Sequence, residues 1–106
     1  MITEIKGYEF RTLIDSYFTD RDSKEKIPYM TMVVEDIGND CKQERISVPR
    51  EMWDEMRDFV DDNLKRGILL DLSVDISFGK YSKVRLVDIL NAYEINEDGE
   101  KIWSLR

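Results

Sequence analysis

Polar and apolar residues alternate with period two over much of the chain, and one segment switches to the helical period. From about Gly7 to Thr19, Tyr8, Phe10, Thr12, Ile14, Ser16 and Phe18 share one parity, while Glu9, Arg11 and Asp15 take the other. Period two marks a sheet face. Leu13 and Tyr17 break the pattern, which reads as a long strand that bends and is buried on both sides, with Gly7 as a bulge or bend. The stretch Asp20 to Lys26 is polar and charged and reads as a hairpin loop. A second strand follows, with Met30, Met32 and Val34 alternating against Tyr29, Thr31 and Val33. Gly38-Asn39-Asp40 signals a turn, and a shorter third strand covers Lys42 to Val48, with Ile46 and Val48 on one side.

The period then changes. Met52, Trp53, Met56, Phe59, Val60 and Leu64 form one apolar stripe at helical spacing. Pro49 suits the first helical position, where its missing N–H has no partner to lose. Glu51, Asp54 and Glu55 near the start, and Lys65 and Arg66 near the end, match the helix dipole; Gly67 suits the residue just past the end. A fourth strand alternates Ile68, Leu70, Leu72, Val74, Ile76 and Phe78 inward against Leu69, Asp71, Ser73, Asp75 and Ser77. By that parity Phe78 belongs to the core. After a turn at Gly79 to Ser82, a fifth strand starts at Lys83 with Val84 and Leu86 inward. Its phase slips at Val87 to Ile89, as a β-bulge would make it. Asn96 to Gly99 is a turn signal, and Lys101 to Leu105 is a short returning strand or a loose tail.

Three strands, a helix and two strands predict a mainly β chain with one helix: an OB-fold-like, five-stranded Greek-key barrel in the order β1-β2-β3-α-β4-β5, with the helix plugging one end. The rival arrangement is an open sheet with one helix on a face. The 106 residues fit a single domain, 1–106, with 96–106 as the extra strand or tail.

Composition narrows the chemistry. There is no histidine, so no Ser-His-Asp triad or Cys-His dyad exists. The lone Cys41 can form neither an internal disulfide nor a thiolate zinc site, and it fits a reducing, cytoplasmic setting. Asp71 and Asp75 share a strand face, but two carboxylates hold no metal unless others converge, so no cofactor, metal or catalysis is expected. The start lacks the pattern of a signal peptide, and no apolar run approaches the ~18 residues needed to span a bilayer, so no membrane role is expected. Sixteen bases against 23 acids leave a net charge of −7, which disfavours adventitious binding to duplex DNA. A local basic strip still acts within a Debye length of roughly 8–10 Å.

The strand-helix-strand order, the charged loop at Asp20 to Lys26 and the hairpin Phe78-Gly79-Lys80-Tyr81-Ser82-Lys83 together resemble OB-fold single-stranded-DNA-binding proteins, in particular the compact ones of bacterial phages and mobile elements. The resemblance covers most of the chain as a pattern of elements. Many bacterial members end in an acidic tail with an apolar cap, whereas this sequence ends Trp103-Ser104-Leu105-Arg106. The resemblance implies an accessory of replication or transfer that binds single-stranded DNA, or RNA, beside other replication or transfer proteins and with self-association. The ligand then crosses strands 2 and 3, flanked by the first-to-second and fourth-to-fifth strand loops.

Such a surface needs cations for phosphates and flat side chains for bases. Lys80, Lys83 and Arg85, with Tyr81 among them, make the fourth-to-fifth strand hairpin the leading candidate. The other loop offers Arg21, Lys24 and Lys26, with Tyr29 just beyond, though Asp20, Asp22 and Glu25 dilute its field. Lys42 and Arg45 on the third strand bridge the two. A different class of function also fits. The helix acids Glu51, Asp54, Glu55, Asp58, Asp61 and Asp62 read first as a solvated face, and alternatively as the surface of an acidic inhibitor or adaptor that mimics DNA phosphate.

Overall fold

A computed structural model describes residues 1–62, 68–79, 83–95 and 101–104. Six strands and one helix follow in the order β1 (Ile2–Thr19), β2 (Lys26–Asp36), β3 (Lys42–Ser47), a 3₁₀ turn (Arg50–Met52), α1 (Trp53–Asp62), β4 (Leu69–Ser77), β5 (Lys83–Ile95) and β6 (Lys101–Ser104). The sheet runs β3-β2-β1-β4-β5-β6, and β3 also pairs with β5. That extra pairing closes the first five strands into the OB-type barrel, so the open-sheet alternative falls away. The returning segment at the C-terminal end is a strand, β6, paired antiparallel to the far end of β5 beyond the barrel.

Closure depends on β1 serving two neighbours. Its first part pairs with β4 from Ile2 to Glu9, and its second part pairs with β2 from Glu9 to Thr19. A strand can turn from one partner to the next only by bending, and β1 bends at two irregularities. One lies between Ile5 and Tyr8, where Gly7 has φ 72°, a conformation a side chain would strain. Asp71 holds this bend: its carboxylate accepts from the Gly7 N–H at 2.9 Å and from the Tyr93 hydroxyl at 3.4 Å. Gly7 is thus a bulge inside a strand that begins at Ile2, not the beginning of the strand that the pattern suggested.

The second irregularity, between Phe10 and Thr12, reverses the parity of everything after it. Phe10 is buried, but Leu13 rather than Thr12 continues the packing against the core. Ile14 and Phe18 therefore do not share Phe10's face. From Asp15 to Thr19 the strand is exposed on both sides, contrary to the expectation of burial on both. The slip anticipated in β5 is real: register shifts between Asp71 and Leu72 and between Ser73 and Val74 of β4 leave extra residues in β5, and they keep Leu86, Ile89 and Ala92 all buried.

The core lies between the inward rows of β2, β3, β4 and β5 and the helix, with Met32, Val34, Ile46, Leu70, Leu72 and Val74 fully enclosed. Met56 of α1 is 1% exposed and plugs the barrel end, and Met52, Trp53, Phe59 and Val60 pack against the same core. Trp53 donates its indole N–H to the Val48 carbonyl at 2.8 Å, and Arg57 donates to the Asp15 carboxylate at 2.7 and 3.1 Å, so both flanks of the helix are tied to the sheet. Pro49 stands one place earlier than expected. It is extended at φ −65°, ψ 150° and precedes the 3₁₀ turn. Its missing N–H still costs nothing there, since the first turn of a helix leaves its donors unpaired. Phe78 lies past the end of β4 and is 72% exposed, so it is not a core residue; the inward parity ends where the strand leaves the barrel. The expected helix end at Leu64 to Gly67, the turn at Lys80 to Ser82 and the turn at Asn96 to Gly99 lie outside the described residues.

Candidate nucleic-acid interface

The β2–β3 register sets the outer face of the barrel. Thr31 stands opposite Ser47 and Val33 opposite Arg45, while Met32 and Ile46 turn inward. On the other side of β2, Ile14 is paired with Thr31, Ser16 with Tyr29 and Phe18 with Ile27. Ser47 bridges to Arg85, which brings the start of β5 to the edge of this face. The result is an open depression of about 580 Å³ lined by Ile14, Tyr29, Thr31, Glu44, Arg45, Ser47, Lys83 and Val84. Phe18 extends it along the β1–β2 arm, its ring 6.2 Å from that of Tyr29 and tilted by 45°. Phe18 is 51% exposed and Tyr29 36%, so two neighbouring rings face solvent on this side of the arm.

Three of the residues expected at a binding site, Tyr29, Arg45 and Lys83, thus meet in one hollow, although they come from three strands. The others are placed elsewhere. Arg85 holds its guanidinium 3.7 Å from Glu51 at the head of the helix, pairs in register with Asp75, and lines a separate hollow of about 270 Å³. Lys42 stands at the far end of β3, opposite Asp36 and 3.7 Å from Glu44. It extends no basic strip toward either loop, because Asp36 and Glu44 stand beside it. Lys26 places its ammonium 4.6 Å from the centre of the Tyr17 ring, on the opposite face of the arm from Phe18.

Arg21 and Lys24 sit in the exposed β1–β2 loop and do not line the hollow. Asp20 organises that loop: its N–H donates to the Glu25 carbonyl at 2.8 Å, its carbonyl accepts from Lys24 at 3.0 Å, and its carboxylate accepts from the Ser23 hydroxyl at 2.8 Å. The Ser23 hydrogen bond, helped by backbone donors, holds the Asp20 carboxyl below its ordinary pKa. Lys24 takes the left-handed conformation that so tight a loop needs, φ 61°. Lys80 and Tyr81 lie outside the described residues.

Sequence reasoning missed Ile14, Phe18, Thr31 and Ser47. The signal for Phe18 was present in the apolar positions Leu13 and Tyr17. They mark a parity reversal rather than burial on both sides. Further along the same face the charge changes sign. Arg11, the extra residue of the β1 bulge, donates its Nε to Glu35 at 2.9 Å and lies 3.2 Å from Glu9 through Nη1. The hydrogen bond to Glu35 raises the guanidinium pKa, and two carboxylates around one cation leave no positive charge there for a phosphate. The basic, aromatic part of the face therefore ends at Arg45. Among the described residues no group of three acidic or sulfur side chains converges that could hold a metal. No helix of the described residues is long and apolar enough to cross a membrane.

No family model matches the sequence, and no curated protein matches it. Among solved structures the chain is similar to the mitochondrial single-stranded DNA binding protein Rim1 of S. cerevisiae, at 13% identity and a TM-score of 0.48, over 84% of this chain and 91% of that one. At that identity and TM-score, the assignment of the barrel stands on its own strand pairings.

Proposed function

We propose that the protein binds single-stranded DNA across the outer face of β1, β2 and β3. One observation carries the reading: Arg45 and Lys83 flank a hollow whose rim holds the exposed rings of Tyr29 and Phe18. Cations spaced among flat side chains are what a flexible strand needs, because phosphates and unstacked bases are then met together. Duplex DNA keeps its bases stacked inside and offers the rings nothing, while the net charge of −7 repels it. RNA would serve as well, since stacking and phosphate contacts do not require one sugar. With two cations among the described residues of the hollow, a single copy binds weakly, so neighbouring copies along one strand, or self-association, strengthen it. The role we assign is that of an accessory in replication or transfer of a phage or mobile element, beside its replication or transfer proteins, in a reducing cytoplasm where the exposed thiol of Cys41 persists.

Fluorescence anisotropy of labelled oligo-dT, with duplex DNA as control, tests this. Salt-dependent binding of the single strand with little of the duplex is the expected result. No binding at low salt and tens of micromolar protein would sink it. That outcome would favour a second reading, an acidic inhibitor or adaptor that presents α1 to a basic partner: Asp54 is 97% exposed, and Glu51, Glu55 and Asp58 are exposed beside it.

A further inference from the structure

The barrel wall has a seam between β3 and β5. Among the described residues the two strands share one bridging pair, Ser47 with Arg85, where the other neighbours in the barrel share long ladders. The binding hollow lies outside this seam. Inside it lies a second cavity of about 150 Å³, walled by Tyr8, Ile46, Val74 and Ile76. Glu44 and Val84 line both spaces, so they are the two posts of the seam. The inner wall is hydrocarbon except for the Tyr8 phenol and the Glu44 carboxylate.

Register explains why a carboxylate stands there. Glu44 is paired with Val34, an inward-facing residue, so β3 turns Glu44 toward the barrel while Arg45 faces out. Its neighbouring cation, Lys42, is 3.7 Å away, too far for a hydrogen bond, and that lysine is itself mostly exposed. The carboxylate therefore retains acceptor capacity at the mouth of an apolar space. Burial, then the hydrogen bond to Asp36 and the charges of the Asp36 and Glu44 carboxylates, raise the pKa of the Tyr8 phenol, whose proton is engaged by Asp36.

We propose that this cavity takes one unstacked base from a strand lying in the outer hollow, and that the base is cytosine. The proposal rests on the strand-binding reading above. Size argues for one ring: an apolar cavity of roughly 150 Å³ holds a benzene-sized molecule, which matches a pyrimidine and excludes the second ring of a purine. Chemistry argues for cytosine over thymine. Cytosine offers its N4 amino group as a donor to the Glu44 carboxylate, whereas thymine presents the O4 carbonyl at that edge. Thymine's O4 and the carboxylate are both acceptors, so thymine gains no hydrogen bond there, whereas cytosine gains one.

The test is anisotropy with three labelled oligo-dT strands that differ at one central position: thymine, cytosine or an abasic site. Cytosine should bind about fivefold more tightly than thymine, the discrimination of one good base-edge contact. Glu44→Gln should erase that preference, because an amide both donates and accepts. Val84→Phe, which fills the seam, should erase it too. Equal affinity of wild-type protein for all three strands would overturn the base pocket and leave strand binding standing. A failure to bind any of them would overturn strand binding, and the pocket with it.

Discussion

Replacing Arg45 and Lys83 together by alanine removes the two cations that the described residues bring to the hollow while leaving the core untouched, since both side chains face solvent. Each phosphate neutralised on a single strand contributes about 0.7 to the slope of log K against log salt. Two lost contacts lower the magnitude of that slope by about 1.4. Over a fourfold rise in salt, from about 50 to about 200 mM, wild-type affinity should then fall about sevenfold more than that of the variant. Anisotropy titrations at several salt concentrations measure this directly. The matched control is Arg21→Ala with Lys24→Ala in the β1–β2 loop, which removes the same charge from outside the hollow and should leave the slope near wild type. A thermal melt of each variant separates lost contacts from lost folding. A wild-type slope in the Arg45/Lys83 variant, or an equal change in the loop control, would refute the placement of the strand in this hollow.

Other outcomes follow from the same structure. Phe18→Ala and Tyr29→Ala should each weaken oligo-dT binding by about 1–3 kcal/mol without changing the salt slope, because stacking releases no counterions; a changed slope would show that the rings act through charge. Glu51→Gln frees Arg85 from its neighbour at 3.7 Å, so oligo-dT affinity and salt slope should both rise; unchanged binding would place Arg85 off the strand's path. Met56→Ala opens a void beneath the helix and should cost about 2–5 kcal/mol in denaturant melts. A loss well under about 1 kcal/mol would mean that α1 does not plug the barrel. Asp15 is held below its ordinary pKa, first by its hydrogen bonds from Arg57. Its contribution to stability is therefore present above the unfolded pKa of about 3.9 and is lost as the pH falls through the lower folded value. Asp15→Asn should be less stable than wild type at neutral pH, and the gap should close in acid; a gap that persists in strong acid would point to packing rather than charge.

Local alternation and the helical stripe were enough to order five strands and the helix, because burial of one face imposes period two on a strand and a stripe on a helix. The same arithmetic placed Met32, Ile46, Met56, Leu72 and Val74 in the core, where they are found. The β5 slip was also legible, since a bulge must shift the phase of the apolar positions that follow it. Phe18 was not placed correctly, because a second bulge at Arg11 reversed its face and its only trace was two apolar residues out of phase. Phe78 kept its parity but lost its burial, since periodicity says which way a side chain points and not where the barrel ends.

For the hollow, residue type and the expected barrel nominated Tyr29, Arg45 and Lys83 together, but could not separate them from Lys42 and Arg85. Those residues are far apart along the chain, and their meeting depends on barrel closure through Ser47 and Arg85, a long-range pairing. Whether a lysine or arginine remains available depends likewise on the acids that folding brings beside it. Glu51 reaches Arg85 from the helix and Glu44 stands near Lys42 within β3, so cations alike in sequence end in unlike fields. Chain-local pattern is set by burial of neighbouring residues, whereas a binding surface is set by strands that find each other only once the barrel has closed.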